Sequence, residues 1–252
     1  MSGHSKWSTI KHKKAATDAR RGKMFSKILK EITVAARLGG GDPKGNPRLR
    51  AALLEARSNS VPGDNIDRAI KKGTGELAAE VYEEVVYEGY GPGGVAILVE
   101  GLTDNRNRTA GEVRHVFARN GGNLGESGCV AWMFNRRGYF AIDRKAPQAP
   151  DEEKLMELAL ELGADDVAIE EDVYEIYTPM EDFIAVQEEL ERRGTPVAAK
   201  ELAMVPQTSV EVPRDKVNQV LRLMEALEDH DDVQKVWANL HVDEKVLEAQ
   251  SR

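Results

Sequence analysis

The sequence predicts a multidomain α+β protein in which an N-terminal three-helix domain precedes two α/β sandwich-like domains. Apolar residues recur at helical spacing in the first 75 residues, whereas short strand-like segments alternate with helices afterwards. Residues 138–206 follow the order β-α-β-β-α-β of the split βαβ, or ferredoxin-like, pattern. At 252 residues, the chain is long enough to hold two or three domains of this kind.

The N-terminal helices are predicted from apolar spacing and from the residues that end them. The segment MFSKILKEITVAARL has one apolar face, and the glycines at 39–41 end this helix. A second helix is predicted over 47–59. The third begins after Pro62, with Asp64 as its N-cap, and ends at Gly73.

The later segments predict the α/β part of the chain. YEEVVYEGY and VAILVEGL, separated by GPGG, predict a β-hairpin, which a helix over 106–120 follows. VAWMFN and GYFAIDR are predicted as two strands, and Trp132 and Trp237, which lie in strand patterns, as core residues. The C-terminal β-α-β lacks a sheet of its own, and the ββα of residues 82–135 would complete it.

These elements predict three domains. They are residues 1–78, which we call the helical head; residues 82–135 with 207–246, which we call the middle domain; and residues 136–206, a ferredoxin-like domain inserted in the sequence of the middle domain.

Charge is divided unevenly along the chain. Residues 1–75 contain 17 lysines and arginines against 6 acidic residues, a net charge of +11, so residues 76–252 carry −19 of the total of −8. This asymmetry predicts a polyanionic partner for the helical head. The acidic remainder, residues 76–252, would be repelled by the same polyanion and is predicted to face a ribosome or a transcription-related protein.

The first thirty residues combine lysines and arginines with histidines and a tryptophan, a composition typical of a surface that contacts phosphates and bases. Arg106 and Arg108 lie in the first turn of a predicted helix, where a cation opposes the helix dipole unless an anion neutralises it. That anion is either a phosphate or a nearby carboxylate such as Glu88 or Glu112. The predicted nucleic-acid contacts are Lys6, Trp7, Lys11, His12, Lys13, Lys14, Arg20, Arg21, Lys23 and Lys27, with Lys71, Lys72, Arg106 and Arg108 as secondary contacts.

Enzyme, cofactor and metal motifs are missing from the sequence. It contains no HExxH, GxSxG or GK(S/T), and its single cysteine, Cys129, excludes a disulfide framework and a cysteine-based zinc site. Asp229, His230 and Asp232 could in principle bind a divalent cation, although a solvated loop is the usual explanation of such a group. A metal-dependent hydrolase is therefore the least favoured hypothesis.

Two further features bear on partners and location. The glycine-rich segment 121–128 lacks the ending of a P-loop and predicts either a plain turn or a loop that reaches toward a partner. No apolar run is long enough to span a membrane, and no secretory signal is present. We expect a soluble, cytoplasmic protein without a cofactor.

Long segments of the chain resemble the YebC/PmpR family, which includes the mitochondrial translational activator of cytochrome oxidase. These segments are GHSKW (3–7), IKHKKAATDARRGKMFSK (10–27), ARLGGGDPKGNPRLR (36–50), DNIDRAIKKGTG (64–75), YEGYGPGGVA (87–96), LTDNRNRT (102–109) and NGGNLGESGCVAWMF (120–134). Gly63 departs from the pattern, since relatives commonly carry a basic residue before DNI.

The resemblance implies three domains and a role in gene expression. Members of the family are described as DNA-binding transcriptional regulators, and others as ribosome-associated factors that help translation through difficult stretches such as proline runs. Duplex DNA and ribosomal RNA carry the same phosphate charge, so the cationic head suits both. The helical head shows no helix-turn-helix reader, which weakens the case for sequence-specific operator recognition. We expect a non-enzymatic, nucleic-acid-binding regulator, with ribosomal RNA binding as the alternative.

Overall fold

The computed structural model describes residues 18–78 and 80–242, with side chains described from Arg21 onward. The helices are α1 (Asp18–Gly39), α2 (Pro47–Ser58), α3 (Gly63–Thr74), α4 (Arg106–Arg119), α5 (Glu152–Glu161), α6 (Phe183–Arg192) and α7 (Arg214–Glu228). The strands are β1 (Glu83–Tyr90), β2 (Ala96–Thr103), β3 (Asn123–Leu124), β4 (Phe134–Asp143), β5 (Asp166–Ile169), β6 (Val173–Thr178), β7 (Val197–Pro206), β8 (Val210–Glu211), β9 (Val233–Ala238) and β10 (Leu240–His241). The predicted α+β class is confirmed.

The described chain forms two compact units. Residues 132–209 make one unit, and the residues before and after them make the other. None of the helices in residues 18–78 and 80–242 has the length and apolar character needed to cross a bilayer.

The helical head packs its three helices around a small apolar cluster. Helix α1 ends at Gly39, as predicted, and the next residue, Gly40, has a φ of +82° that favours glycine. The buried cluster consists of Ile28, Ile32, Ala35, Ala36, Leu49, Ala52, Ala56, Val61 and Ala69. Five of these nine residues are alanines, so the helices approach closely.

Two details of α3 differ from the prediction. The helix begins one residue before Asp64, and Pro62 occupies the N-cap position without a side-chain hydrogen bond. It also continues past Gly73 to Thr74, with Gly75 at the C-cap in the left-handed region. Gly73 is needed for another reason, since a Cβ there would overlap the Thr33 carbonyl oxygen of α1.

The middle domain has a four-stranded sheet in the order β3-β1-β2-β9. Strands β1 and β2 form the predicted antiparallel hairpin, with Tyr90 opposite Ala96. Helices α4 and α7 pack on this sheet through Phe117 and Leu223, and both side chains are fully buried. Trp237 on β9 is also fully buried, which confirms its prediction as a core residue. The short strands β8 and β10 pair in parallel as a separate sheet, so β8 does not join the main one.

The other unit contains the split βαβ pattern. Its sheet has the antiparallel order β5-β6-β4-β7, which is the strand order of a ferredoxin-like domain. Its core contains Phe140, Ile142, Leu155, Ile176 and Leu190.

The segment VAWMFN is not the strand that its apolar residues predict. Ala131–Met133 form a 3₁₀ turn, and the following residues join GYFAIDR in the single long strand β4. As a result, Trp132 is 67% exposed, and its prediction as a core residue was wrong. The apolar run that it forms with Met133 and Phe134 resembles a buried strand, but the 3₁₀ turn places the Trp132 side chain toward solvent.

Candidate nucleic-acid interface

The predicted contacts fall into three groups in the structure. Lys6, Trp7, Lys11, His12, Lys13, Lys14 and the side chain of Arg20 lie outside the described part of the chain. Lys23, Lys27, Arg106 and Arg108 each contact other parts of the protein. Arg21, Lys71 and Lys72 are exposed to solvent.

Lys23, Lys27 and Lys30 lie on one face of α1 and point toward the C-terminal end of α7. Lys23 Nζ donates to the Asp229 carbonyl oxygen at 2.8 Å, and Lys27 Nζ donates to the Glu228 carbonyl oxygen. Lys30 Nζ donates to the Asp231 carbonyl oxygen at 3.1 Å. The last carbonyls of a helix lack intrahelical donors and carry the negative end of the helix dipole, so cations stabilise them. We call these three side chains with residues 228–232 the lysine clamp.

Asp232 is the most connected carboxylate of the lysine clamp. Its side chain is 5% exposed and lies 2.7 Å from Lys30 Nζ through Oδ1 and 2.7 Å from Arg108 Nη2 through Oδ2. The hydroxyls of Thr109 and Thr103 donate to the same Oδ2 at 2.7 and 3.2 Å. Burial alone would raise the pKa of Asp232, but these donors outweigh it and hold the pKa well below its ordinary value.

Arg106 and Arg108 are placed by the start of α4. Asn105 caps this helix, because its side-chain oxygen accepts the Arg108 backbone N–H at 3.1 Å. The Arg108 guanidinium donates to Asp104 and Asp232, both at 2.7 Å, and lies 3.9 Å from Glu112. Carboxylates of the protein therefore neutralise this cation. Of the two alternatives that the sequence left open, a phosphate or a nearby carboxylate, the structure shows the carboxylate.

Arg106 is less engaged than Arg108. Its Nη1 lies 3.5 Å from Glu83 Oε2, and both side chains are more than half exposed. An exposed pair at this distance contributes little free energy of folding, so the guanidinium can exchange its partner.

A cluster of Glu112, His230 and Asp232 has its ligand atoms within 4.8 Å of one another, which is close enough for a metal ion. His230 Nδ1 accepts the Asp232 backbone N–H at 3.1 Å, and its Nε2 lies 3.0 Å from Glu112 Oε2. In the neutral ring Nε2 therefore carries the hydrogen, and the lone pair of Nδ1 already accepts the Asp232 N–H. Neither nitrogen then has a lone pair left free for a cation. Lys30 and Arg108 already balance Asp232, so a divalent ion would have to displace two cations.

The glycine-rich segment 121–128 is anchored by the buried carboxylate of Glu88. Its oxygens accept the backbone N–H groups of Gly128, Val130 and Ala131 at 2.6, 2.8 and 2.7 Å. Burial would raise the pKa of Glu88, but the three backbone donors outweigh it and hold the pKa below its ordinary value. The loop is therefore built around a fixed charge, and Gly128 adopts a φ of +88°.

Several exposed cations of the helical head were not among the predicted contacts. Seven lysines and arginines between residues 21 and 78 have exposed side chains and no ion pair or hydrogen bond from the side chain to another described residue: Arg37, Lys44, Arg50, Arg57, Arg68, Lys71 and Lys72. Only the last two were among the predicted contacts. Lys44 lies in the turn between α1 and α2, and the other four could have been found from their position off the apolar face of each helix.

Together, the fold and the charge of these side chains define a multidomain α+β protein with a cationic helical head. Two family descriptions match the chain: "TACO1/YebC protein N-terminal domain" over residues 5–76 and "TACO1/YebC second and third domain" over residues 82–240. The chain belongs to the TACO1/YebC family, as the resemblance in the sequence predicted.

Proteins with similar sequence and structure support this assignment. A "probable transcriptional regulatory protein" of Geobacter sulfurreducens is 57% identical over 98% of this chain and 99% of its own length. A protein of the same name from Pelotomaculum thermopropionicum is 57% identical over 97% of this chain and its full length. The crystal structure of a conserved hypothetical protein from Aquifex aeolicus superposes with a TM-score of 0.83 at 51% identity, covering 94% of this chain and 97% of that one.

Proposed function

We propose that this protein is a non-enzymatic regulator of gene expression that binds nucleic acid through the phosphate contacts of its helical head. The observation that carries the proposal is the set of exposed head cations, from Arg37 to Lys72, whose side chains have no ion pair or hydrogen bond to another described residue. Unpaired cations gain free energy from phosphates because their binding releases counterions from the nucleic acid. The names of the relatives, "probable transcriptional regulatory protein", favour the same class of function.

The charge of the rest of the chain supports a fixed orientation of the bound protein. Residues 76–252 carry −19 and would be repelled by the polyanion that attracts the head. The acidic remainder would then face away from the nucleic acid and stay available to a protein partner. A cytoplasmic location, where nucleic acid is accessible in a bacterial cell, is part of this proposal.

Sedimentation distinguishes the two nucleic-acid partners that the sequence left open. Tagged protein in DNase-treated extract would be run through a sucrose gradient at physiological salt, beside a variant with Lys11, Lys13 and Lys14 replaced by Gln. We expect the protein to stay at the top of the gradient and to bind a promoter duplex far more tightly than random DNA. Comigration with ribosomal particles, lost in the variant, would instead assign the head to ribosomal RNA. Failure to bind either would contradict the proposal.

A further inference from the structure

The helical head is attached to the middle domain by polar contacts. The buried apolar cluster of the head and that of the middle domain share no residue. Lys23, Lys27 and Lys30 reach residues 228–232, and Arg48 on α2 donates to Glu84 on β1 while it also pairs with Glu31 at 2.6 Å. Lys23 and Arg48 are 48% and 37% exposed, and polar contacts at such exposure are weak and exchange readily with solvent and ions, whereas the Lys30–Asp232 pair is the least exposed of these ion pairs.

Two of the three clamp lysines, Lys23 and Lys27, have acceptors with less negative charge than a phosphate, whereas Lys30 pairs with the Asp232 carboxylate at 2.7 Å. Lys23 and Lys27 donate to neutral backbone carbonyls, which offer only the partial charge of a helix terminus. The Lys23 side chain is also 48% exposed, and its nearest carboxylate, that of Asp231, lies 3.7 Å away. A nucleic-acid backbone presents a full negative charge on each phosphate, and hydrogen bonds to charged groups are about twice as strong as those to neutral ones.

The segment that joins the head to β1 permits movement. Residues 75–78 and 80–82 belong to no helix or strand, and Leu77 and Val81 are 43% and 55% exposed. Displacement of the head therefore exposes little further apolar surface of Leu77 or Val81, and in this segment it costs the contact of the half-buried Tyr82 ring with Lys30 Nζ, 5.4 Å from the ring centroid.

From these observations we infer that nucleic acid and the lysine clamp compete for Lys23 and Lys27, so that binding of a nucleic-acid strand releases the helical head from the middle domain. This inference rests on the proposed function and adds its regulation. Before release, the cations from Arg37 to Lys72 are exposed and can make the first contacts with nucleic acid. Lys23, Lys27 and Lys30 contact phosphate only after release. The contacts of the lysine clamp therefore lower the affinity for nucleic acid by the free energy needed to break them.

The test weakens, one at a time in the full-length protein, the two contacts that hold the head, which we call anchors: Lys30 with Asp232, and Arg48 with Glu84. Asp232→Asn removes the carboxylate that pairs with both Lys30 and Arg108, whereas Glu84→Gln removes a partner of Arg48 without touching Asp232, so a gain in affinity shared by both variants does not come from a freed Arg108. Glu211→Gln is the matched control, because it removes one exposed acid of the middle domain that lies outside both anchors. Fluorescence anisotropy would measure affinity for duplex DNA and for duplex RNA of the same sequence.

We expect both anchor variants to bind at least roughly fivefold more tightly than wild type, the lower end of ordinary coupling between sites. The control should change affinity by about twofold or less, since a remote exposed charge is screened. Spin labels at Ser58→Cys and Glu211→Cys, in a Cys129→Ser background, would report the distance between head and middle domain. That distance should lengthen when saturating duplex is added.

The inference requires both the tighter binding of the two anchor variants and the longer distance in the presence of duplex. If the distance stays constant with bound duplex, or if the anchor variants match the control, the release is overturned while nucleic-acid binding by the head stands. If the wild-type protein and all variants bind neither duplex, the proposed function itself fails, and the release fails with it.

Discussion

Replacing Glu88 with glutamine tests whether a buried charge organises the glycine-rich segment. Glu88 is 5% exposed, and its two oxygens accept three backbone N–H groups at 2.6 to 2.8 Å. A glutamine retains one acceptor oxygen and turns an NH₂ group toward the remaining donors. Either the Gly128 N–H or the pair at Val130 and Ala131 is then left without an acceptor.

The expected cost follows from the number of bonds that change. With the amide oxygen facing Val130 and Ala131, two bonds lose their ionic character at about 1 kcal/mol each, and the part-buried Gly128 N–H left unsatisfied costs about 1–3 kcal/mol. We therefore expect Glu88→Gln to destabilise the segment by about 3–5 kcal/mol at neutral pH. Glu83→Gln, on the same strand but exposed and 3.5 Å from its arginine, should cost less than about 1 kcal/mol.

Amide hydrogen exchange measures this effect locally. A local loss of about 3 kcal/mol corresponds to more than a hundredfold faster exchange of the Gly128, Val130 and Ala131 amides. Because the folded-state pKa of Glu88 is lowered, its stabilisation is present above the unfolded pKa and is lost as the pH falls through the folded one. The difference between wild type and Glu88→Gln should therefore shrink on acidification. Equal exchange in the Glu88 and Glu83 variants at neutral pH would refute this account of the loop.

Three further predictions concern the helical head and the acidic cluster. Gly73→Ala should lower the free energy of unfolding by about 2 kcal/mol, because overpacking against α1 outweighs the gain in helix propensity. Gly22→Ala should raise it slightly, because a Cβ there has nothing within 4 Å. Urea unfolding that ranks the two variants the other way would contradict this prediction. Asn46→Ala should cost about 2–3 kcal/mol in the same assay, because it removes the N-cap bond, a buried bond to the Ala35 carbonyl and a part-buried bond to the Gly40 carbonyl; a loss under about 0.5 kcal/mol would contradict it. Millimolar Mg²⁺ should leave the melting temperature unchanged, because Lys30 and Arg108 already neutralise Asp232; a rise that Glu112→Gln abolishes would reveal a metal site.

The sequence predicts the elements of this fold well because their signals are local. Apolar spacing identifies the helices of the head, and alternating segments bounded by glycine or proline identify the hairpin and the split βαβ pattern. The signal fails where a residue serves a distant neighbour. Glycine is a residue type that ends helices, but the role of Gly73 is to let α1 approach, and that contact depends on how the two helices pack.

The candidate site was harder to predict for the same reason. The lysines at 23 and 27 belong to a basic segment, and charge alone assigns them to phosphates. Their partners in the structure are backbone carbonyls about 200 residues away, as the separations of 206 and 201 residues show, and backbone acceptors leave no mark in the sequence. Trp132 shows the complementary limit, since a single 3₁₀ turn exposes a side chain that a continuous strand would bury.

The salt dependence of nucleic-acid binding tests the central claim most directly. If the head makes about six phosphate contacts, the logarithm of affinity should fall with the logarithm of salt concentration at a slope of about −5. Replacing Arg68, Lys71 and Lys72 with Gln should flatten this slope by about three units. A control with Arg214, Lys216 and Arg222 of α7 replaced by Gln should keep the wild-type slope. An unchanged slope in the head variant, or an equal loss in the control, would contradict the assignment of these head cations to nucleic-acid phosphates.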